Sequence, residues 1–130
     1  MYEVTVEGKF SAAHRHPLPA GRGDAVHGHD FLVLVRIAGE HLEDDVLVDF
    51  HDVEVALEDH LGELHYRDLN EHPDFAGRAA TPAALARWLH DRLSPHVARY
   101  DGLRLSSVEV RDTATTGARY EAGDRPPAVS

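Results

Sequence analysis

Two stretches near the start of the chain alternate apolar and polar residues with a period of two. In the first, over residues 2–14, one parity carries Tyr2, Val4, Val6, Phe10, Ala12 and His14. This pattern predicts a half-buried strand, because successive side chains of a strand point to opposite faces. The second stretch, about 28–39, is rich in β-branched and aromatic residues. Two shorter strands are predicted near the end, at about 104–112 and 116–121, joined by a tight turn.

Between these strand pairs, apolar residues recur at helical spacing in two segments. The first is predicted over about 50–64, with Asp49 as its N-cap. Its apolar stripe consists of Phe50, Val53, Leu57, Leu61 and Leu64. Thr81 and Pro82 predict the start of a second helix. Its buried face is expected to consist of Leu85, Trp88, Leu89, Leu93 and Val97.

The order of elements, β-β-α-α-β-β, predicts an α+β fold in a single domain over residues 1–122. We expect an antiparallel four-stranded sheet with two helices on one face. The prolines and glycines of 16–26 predict a loop, as does the segment 70–80, and 123–130 is expected to be a flexible tail.

Composition excludes several classes of function. The formal net charge of −10 argues against a general nucleic-acid surface, which needs clustered lysine and arginine. No apolar run approaches the roughly 18 residues of a membrane span, and the N-terminus lacks a signal-peptide pattern, so we expect a cytoplasmic protein. The chain has no cysteine, which excludes disulfides, thiolate metal sites and thiol nucleophiles.

Three of the 11 histidines fall into a pattern that indicates a metal site. His27 and His29 are two apart at the entry of a predicted strand, so both side chains should leave on the same face. His14 ends the preceding strand. Three imidazoles from adjacent strands predict a zinc site with a fourth position open, as in catalytic sites. In a chain with so many histidines, an isolated His-x-His pair would by itself be weak evidence.

Several strings strengthen this interpretation, because together they resemble the 6-pyruvoyl- and 6-carboxy-tetrahydropterin synthase family. They are Phe10-Ser11-Ala12-Ala13-His14, His27-Gly28-His29, Val48-Asp49-Phe50, Leu69-Asn70 and the helix-starting Thr81. The resemblance covers about residues 2–121. It implies the T-fold, a homotrimer or homohexamer with sites at subunit interfaces, and zinc held by His14, His27 and His29. It also implies that the substrate is 7,8-dihydroneopterin triphosphate or a related compound.

The chain departs from the family pattern where the pattern places its general base. The family's usual cysteine would fall at Gly21 or Gly23, and neither residue can take a proton. In the string Leu64–Asn70 the family's aspartate position holds His65 and its catalytic histidine position holds Tyr66. A further branch of the family uses a glutamate three residues before His-Gly-His, where this chain has Asp24.

These departures leave two candidates for the base. Asp24 could serve if its pKa were tuned, or it is an ordinary loop aspartate. His65, helped by Tyr66, could replace the missing base, or it is a surface histidine. Adjacent residues at a helix end lie about 100° apart, which argues against a direct exchange of roles.

The substrate-binding positions also differ from the family pattern. The family's pterin-gripping glutamate is Asp112 here, shorter by one methylene and followed by Thr113, so the resemblance implies that these two residues bind substrate. Asp112 can still accept two N–H bonds. The glutamate that follows the helix-starting threonine in the family is Ala83.

The sequence therefore supports one main hypothesis and two alternatives. The main one is a zinc-dependent carbon–oxygen or carbon–carbon lyase acting on a dihydropterin or a similar hydroxylated heterocycle, with no nucleic-acid or membrane partner. The second is a catalytically silent homologue that binds zinc and a pterin. The third, a purely structural zinc, is disfavoured by the open coordination position that the family resemblance implies.

Overall fold

The computed structural model describes residues 1–14 and 27–123, apart from the side chain of His27. The predicted loop at 16–26 and most of the predicted tail lie outside the described residues. Within them the strands are β1 (Tyr2–His14), β2 (His27–Gly39), β3 (Leu103–Arg111) and β4 (Gly117–Tyr120), and the helices are α1 (Phe50–Leu61) and α2 (Pro82–Val97). No helix in this part of the chain is long and apolar enough to cross a membrane.

The sheet has four strands in the order β1-β2-β3-β4, and every pair is antiparallel. In the β1–β2 pair Phe10 lies opposite Phe31, and His14 lies opposite His27. The rings of Phe10 and Phe31 stack with centroids 4.7 Å apart. Alternation therefore buries one parity of β1 and of most of β2. The predicted α+β fold is confirmed.

Both helices cover the apolar face of this sheet. Asp49 caps α1 by accepting a hydrogen bond from the His51 amide, and Thr81 caps α2 by accepting one from the Ala84 amide. The core between sheet and helices includes Val33, Val35, Val53, Leu57, Leu61, Leu85, Leu89, Leu93, Val108 and Val110. Capping and apolar spacing thus place the helices where the sequence predicts them.

Three details of the helix prediction need correction. α1 ends at Leu61 rather than at residue 64, although Leu64 is fully buried just beyond it. Phe50 is 49% exposed, because it lies at the first position of α1 and lines a surface groove with Tyr2 and Val46. Trp88 packs only partly against the core, since its indole N–H reaches outwards to Asp74.

The segment between the two helices returns to the outer edge of β1. The Tyr66 amide donates to the Ser11 carbonyl at 2.6 Å, and the Ala13 amide donates to the Arg67 carbonyl at 2.9 Å. Two short 3-10 turns follow, Leu69–Glu71 and Pro73–Phe75. This segment covers the edge of the sheet next to the point where β1 ends.

Candidate metal and substrate site

Three strands begin or end at the same end of the sheet, and the candidate metal-binding residues lie there. His14 is the last residue of β1, His29 is the third residue of β2, and Asp112 directly follows β3. One ligand atom from each of these three residues lies within 4.8 Å of the other two. Residues far apart in the sequence therefore meet because antiparallel pairing aligns these strand ends.

His14 is fully buried, and its orientation is fixed by a backbone contact. Its Nδ1 lies 2.8 Å from the carbonyl oxygen of Ala80. Because a carbonyl oxygen can only accept, Nδ1 carries the hydrogen, and Nε2 is the ring atom that has a lone pair for a metal. The contact with Ala80 could not be anticipated from the sequence, since a backbone carbonyl leaves no signal there.

His29 lies beside His14 and is partly buried. The two imidazole rings meet edge to face with centroids 5.0 Å apart, and both also contact the ring of Phe31. His29 and Tyr66 line a cleft of about 420 Å³ at this edge. A solvent-connected space thus reaches the side of the histidine pair.

Asp112 is held by hydrogen bonds within its own turn. Its Oδ1 accepts from the Thr116 hydroxyl at 2.6 Å, and the Thr116 hydroxyl lies 2.5 Å from that of Thr113. Burial alone would raise the pKa of Asp112. The hydrogen bonds from Thr116 and from its own backbone amide, together with His29 and His14, outweigh burial and lower that pKa. Asp112 is therefore a carboxylate, held beside two imidazoles.

His65 and Tyr66 lie in a turn beyond α1 and not at a helix end. The separation of about 100° between adjacent residues of a helix therefore does not apply to them. The Ser11 amide donates to His65 Nδ1 at 3.0 Å. The ring centroids of His65 and Tyr66 lie 3.8 Å apart. Tyr66 is 82% exposed and has a left-handed φ of 59°. The edge of β1 thus fixes the position and tautomer of His65.

A second cleft, of about 590 Å³, adjoins the first and shares Ser11 and Asp30 with it. Its walls also include His65 and Thr113. The structure thus brings His65, Tyr66 and Thr113 to two adjoining clefts, while His14, His29 and Asp112 form a group beside one of them.

Two of the candidate residues from the sequence cannot be placed in full. Asp24 lies outside the described residues, as do Gly21 and Gly23. His27 is described only in its backbone, which pairs with His14 at the start of β2. Sequence reasoning missed Thr116, although the run Thr113-Ala114-Thr115-Thr116 offers an unusual density of hydroxyls in one turn.

The nitrogen and oxygen ligand atoms of this group suit a divalent cation of intermediate softness, such as zinc. Two imidazole nitrogens and a carboxylate oxygen are common ligands of zinc, and no thiolate is present in the chain to favour a softer metal. The group formed by His14, His29 and Asp112 could therefore hold a metal ion.

Comparison with known proteins places these residues in a family context. A family model described as 6-pyruvoyl tetrahydropterin synthase matches residues 3–123. The 6-carboxy-5,6,7,8-tetrahydropterin synthase of Synechocystis sp. is 33% identical over 128 residues, covering 92% of this chain and 93% of the relative. A Bacillus subtilis relative of the same name is 29% identical over 126 residues, covering 92% of this chain and 84% of its own.

Solved structures of similar proteins share the fold. A Caenorhabditis elegans 6-pyruvoyl tetrahydropterin synthase aligns with a TM-score of 0.74 at 22% identity, over 95% of this chain and 98% of that one. A Plasmodium vivax 6-pyruvoyl tetrahydropterin synthase aligns with a TM-score of 0.75 at 15% identity, over 93% and 97%. The four-stranded sheet with two helices is therefore the T-fold of these synthases.

Proposed function

The chain belongs to the 6-pyruvoyl tetrahydropterin synthase family, and we propose that it is a zinc-dependent lyase acting on 7,8-dihydroneopterin triphosphate or a related hydroxylated heterocycle. The observation that carries this proposal is the convergence of His14 and His29 beside an open cleft in a chain of this family. Curated relatives bear the name of a tetrahydropterin synthase, which supports an enzyme of that general kind.

We assign the zinc to His14, His27 and His29. Support for His27 comes from its backbone position, which is directly paired with His14. The Ala80 carbonyl holds His14 in the tautomer that presents Nε2. Zinc bound there would supply Lewis-acid chemistry, making a C–H bond beside a coordinated hydroxyl more acidic.

Of the two candidate bases we propose Asp24, because the hydrogen bonding of His65 argues against His65 as a base. The Nδ1 lone pair of His65 already accepts the Ser11 amide, so a neutral His65 carries its hydrogen on Nε2. Such a ring can donate a proton but has no lone pair with which to remove one. A catalytic carboxylate has a parallel in a similar protein, since one Plasmodium vivax 6-pyruvoyltetrahydropterin synthase structure is described as a catalytic-residue mutant in which a glutamate is replaced.

The remaining roles concern the substrate and the assembly. The adjoining clefts of about 590 and 420 Å³ offer space for a bicyclic ring with a side chain, and Thr113 at the wall of the larger cleft is proposed to contact it. The family pattern would have Asp112 grip the ring. We further propose a homotrimer or homohexamer with sites at subunit interfaces, which light scattering of the purified protein would test.

Turnover tests the proposed activity. Zinc-loaded protein incubated with 7,8-dihydroneopterin triphosphate should give a new pterin product, separable by liquid chromatography with mass detection. Chelation should stop the reaction, and added zinc should restore it. Asp24→Asn should lower kcat by about 100-fold or more at unchanged zinc content, as expected for loss of a general base. Asp101→Asn, an exposed aspartate in the turn before β3, serves as the matched control.

A second candidate function is a silent homologue that binds zinc and a pterin without turnover. The observation that favours it is the simultaneous absence of cysteine and of the family's Asp-His pair, whose positions hold His65 and Tyr66. Tight binding of a pterin with no conversion of any neopterin substrate would support this alternative and contradict the lyase.

A further inference from the structure

The position of Asp112 distinguishes it from a residue that only grips a substrate ring. β3 is paired with β2 up to Arg111, opposite Leu32, and Asp112 follows directly. Its carboxylate lies within 4.8 Å of ligand atoms of both His14 and His29. The side chain is one methylene shorter than glutamate, so it ends close to the imidazoles instead of extending further from the strand.

Two threonine hydroxyls orient this carboxylate in a defined order. The Thr113 hydroxyl accepts hydrogen bonds from the amides of Thr115 and Thr116, at 3.2 and 3.1 Å. It therefore donates its own hydrogen to the Thr116 hydroxyl, 2.5 Å away, because Thr116 donates to Asp112 Oδ1 at 2.6 Å. This chain of donors holds Oδ1 and so orients the carboxylate beside the two imidazoles.

We propose that Asp112 is a ligand of the metal held by His14 and His29, and that the hydrogen-bonded pair Thr113–Thr116 positions it. This inference rests on the metal site in the proposed function and changes the expected role of Asp112 from ring binding to metal binding. Asp112 would be a ligand in addition to the histidines, and a substrate hydroxyl would bind as a further ligand, as in zinc sites that expand to five ligands. A carboxylate that binds a metal is ordinarily hydrogen bonded to a neighbouring group that fixes its orientation, and here the Thr116 hydroxyl is such a group. The carboxylate also lowers the net charge of a site whose other ligands are neutral.

Zinc affinity provides the first test. The metal-free protein competes with a chromophoric chelator for zinc at neutral pH, and the dissociation constant is obtained for each variant. Asp112→Asn should weaken zinc binding by about tenfold or more, because a neutral amide is a poor ligand. Two matched controls remove the same charge elsewhere. They are Asp30→Asn, whose side chain leaves β2 on the face opposite to that of its neighbour His29, and Asp101→Asn in the turn before β3. Both should stay within about twofold of wild type.

Cobalt substitution provides the second test, which reads the coordination sphere independently of affinity. The visible absorption of bound Co²⁺ should change in Asp112→Asn but not in Asp30→Asn. Thr116→Val should weaken zinc binding by about tenfold, within the range for loss of a ligand's hydrogen-bonding partner, and Thr116→Ser should restore it. Thr116 is exposed, so these two variants keep the test informative if Asp112→Asn does not fold.

The outcomes separate this inference from the proposed function. If Asp112→Asn keeps wild-type zinc affinity and the wild-type cobalt spectrum but loses pterin binding, Asp112 is a ring-binding residue and only the inference fails. If the wild-type protein holds no zinc, the metal site of the proposed function fails and the inference fails with it. Equal losses in Asp112→Asn and Asp30→Asn would indicate a general charge effect and would also overturn the inference.

Discussion

His14 donates its Nδ1 hydrogen to the carbonyl oxygen of Ala80 at 2.8 Å, across 66 positions of sequence. Ala80 is fully buried and lies immediately before Thr81, the N-cap of α2. The start of a helix thus fixes the tautomer of an imidazole at the end of a strand. The packing of α2 on the sheet therefore also orients His14, the candidate metal ligand.

This contact predicts that His14 and His29 contribute differently to the stability of the metal-free protein. His14→Ala leaves the Ala80 carbonyl buried without its donor, which costs about 1–3 kcal/mol, and it adds a cavity. His29 is only partly buried, so His29→Ala should cost clearly less. Urea unfolding in the presence of a chelator measures both. Equal losses of free energy of unfolding would show that the Ala80 contact contributes little.

His65 should have a structural role that can be separated from its chemical role. Asparagine can present an oxygen near the position of Nδ1, whereas alanine leaves the Ser11 amide without this acceptor. We expect His65→Asn to be more stable than His65→Ala by about 1 kcal/mol, the usual net contribution of one hydrogen bond.

Activity then tests whether His65 donates a proton from Nε2 during turnover. His65→Asn and His65→Ala should both lose turnover with 7,8-dihydroneopterin triphosphate, by about 100-fold, because neither carries that hydrogen. Full activity in His65→Asn would show that only the contact with Ser11 matters. Asp101→Asn again controls for handling and concentration.

Tyr66 adopts a left-handed φ of 59° without being glycine, and the strain should be measurable. A residue with a Cβ atom pays about 1–2 kcal/mol in this region. Tyr66→Gly should therefore be more stable than Tyr66→Ala by about 1 kcal/mol, since both lose the ring and only alanine keeps the Cβ. Thermal unfolding of the two variants gives the comparison, and a more stable alanine variant would contradict it.

The fold could be predicted from local patterns because each of its elements has a strong local cause. Alternation defines β1, and the caps Asp49 and Thr81 define where the helices begin. The spacing of His14 and His29 on adjacent predicted strands likewise indicated that these side chains meet, as they do. Period and register carry this information without knowledge of the tertiary structure.

The position of His65 and the orientation of Asp112 could not be predicted from local sequence patterns, because they depend on contacts that local periodicity does not record. Helical spacing predicts His65 at the end of α1, yet the chain leaves the helix at Leu61 and pairs with the edge of β1 near Ser11. The orientation of Asp112 depends on the conformation of a turn, which sets where the Thr116 hydroxyl lies. Neither relationship has a periodic signature in the sequence.

Glu109 predicts a pH dependence of stability that is independent of the metal site. Its carboxylate accepts hydrogen bonds from Arg111 at 2.9 Å and from Arg36 at 3.0 Å. The hydrogen bond from Arg111 lowers its pKa most, burial opposes this, and Arg36 lowers it further. A pKa that is lower in the folded state stabilises the protein above the unfolded value of about 4.3, and this stabilisation is lost as pH falls through the folded value.

The comparison with Glu109→Gln isolates this effect. At pH 7 the variant should be less stable than wild type. The difference should shrink as the pH is lowered from about 5 towards 3, because Glu109 of the unfolded chain takes up its proton before Glu109 of the folded protein, whose pKa is lower. Glu7→Gln, at an exposed position of β1, should show no such trend. Chemical unfolding across this pH range supplies the free energies. A difference between wild type and Glu109→Gln that stays constant with pH would mean that the two arginines do not favour the ionised carboxylate.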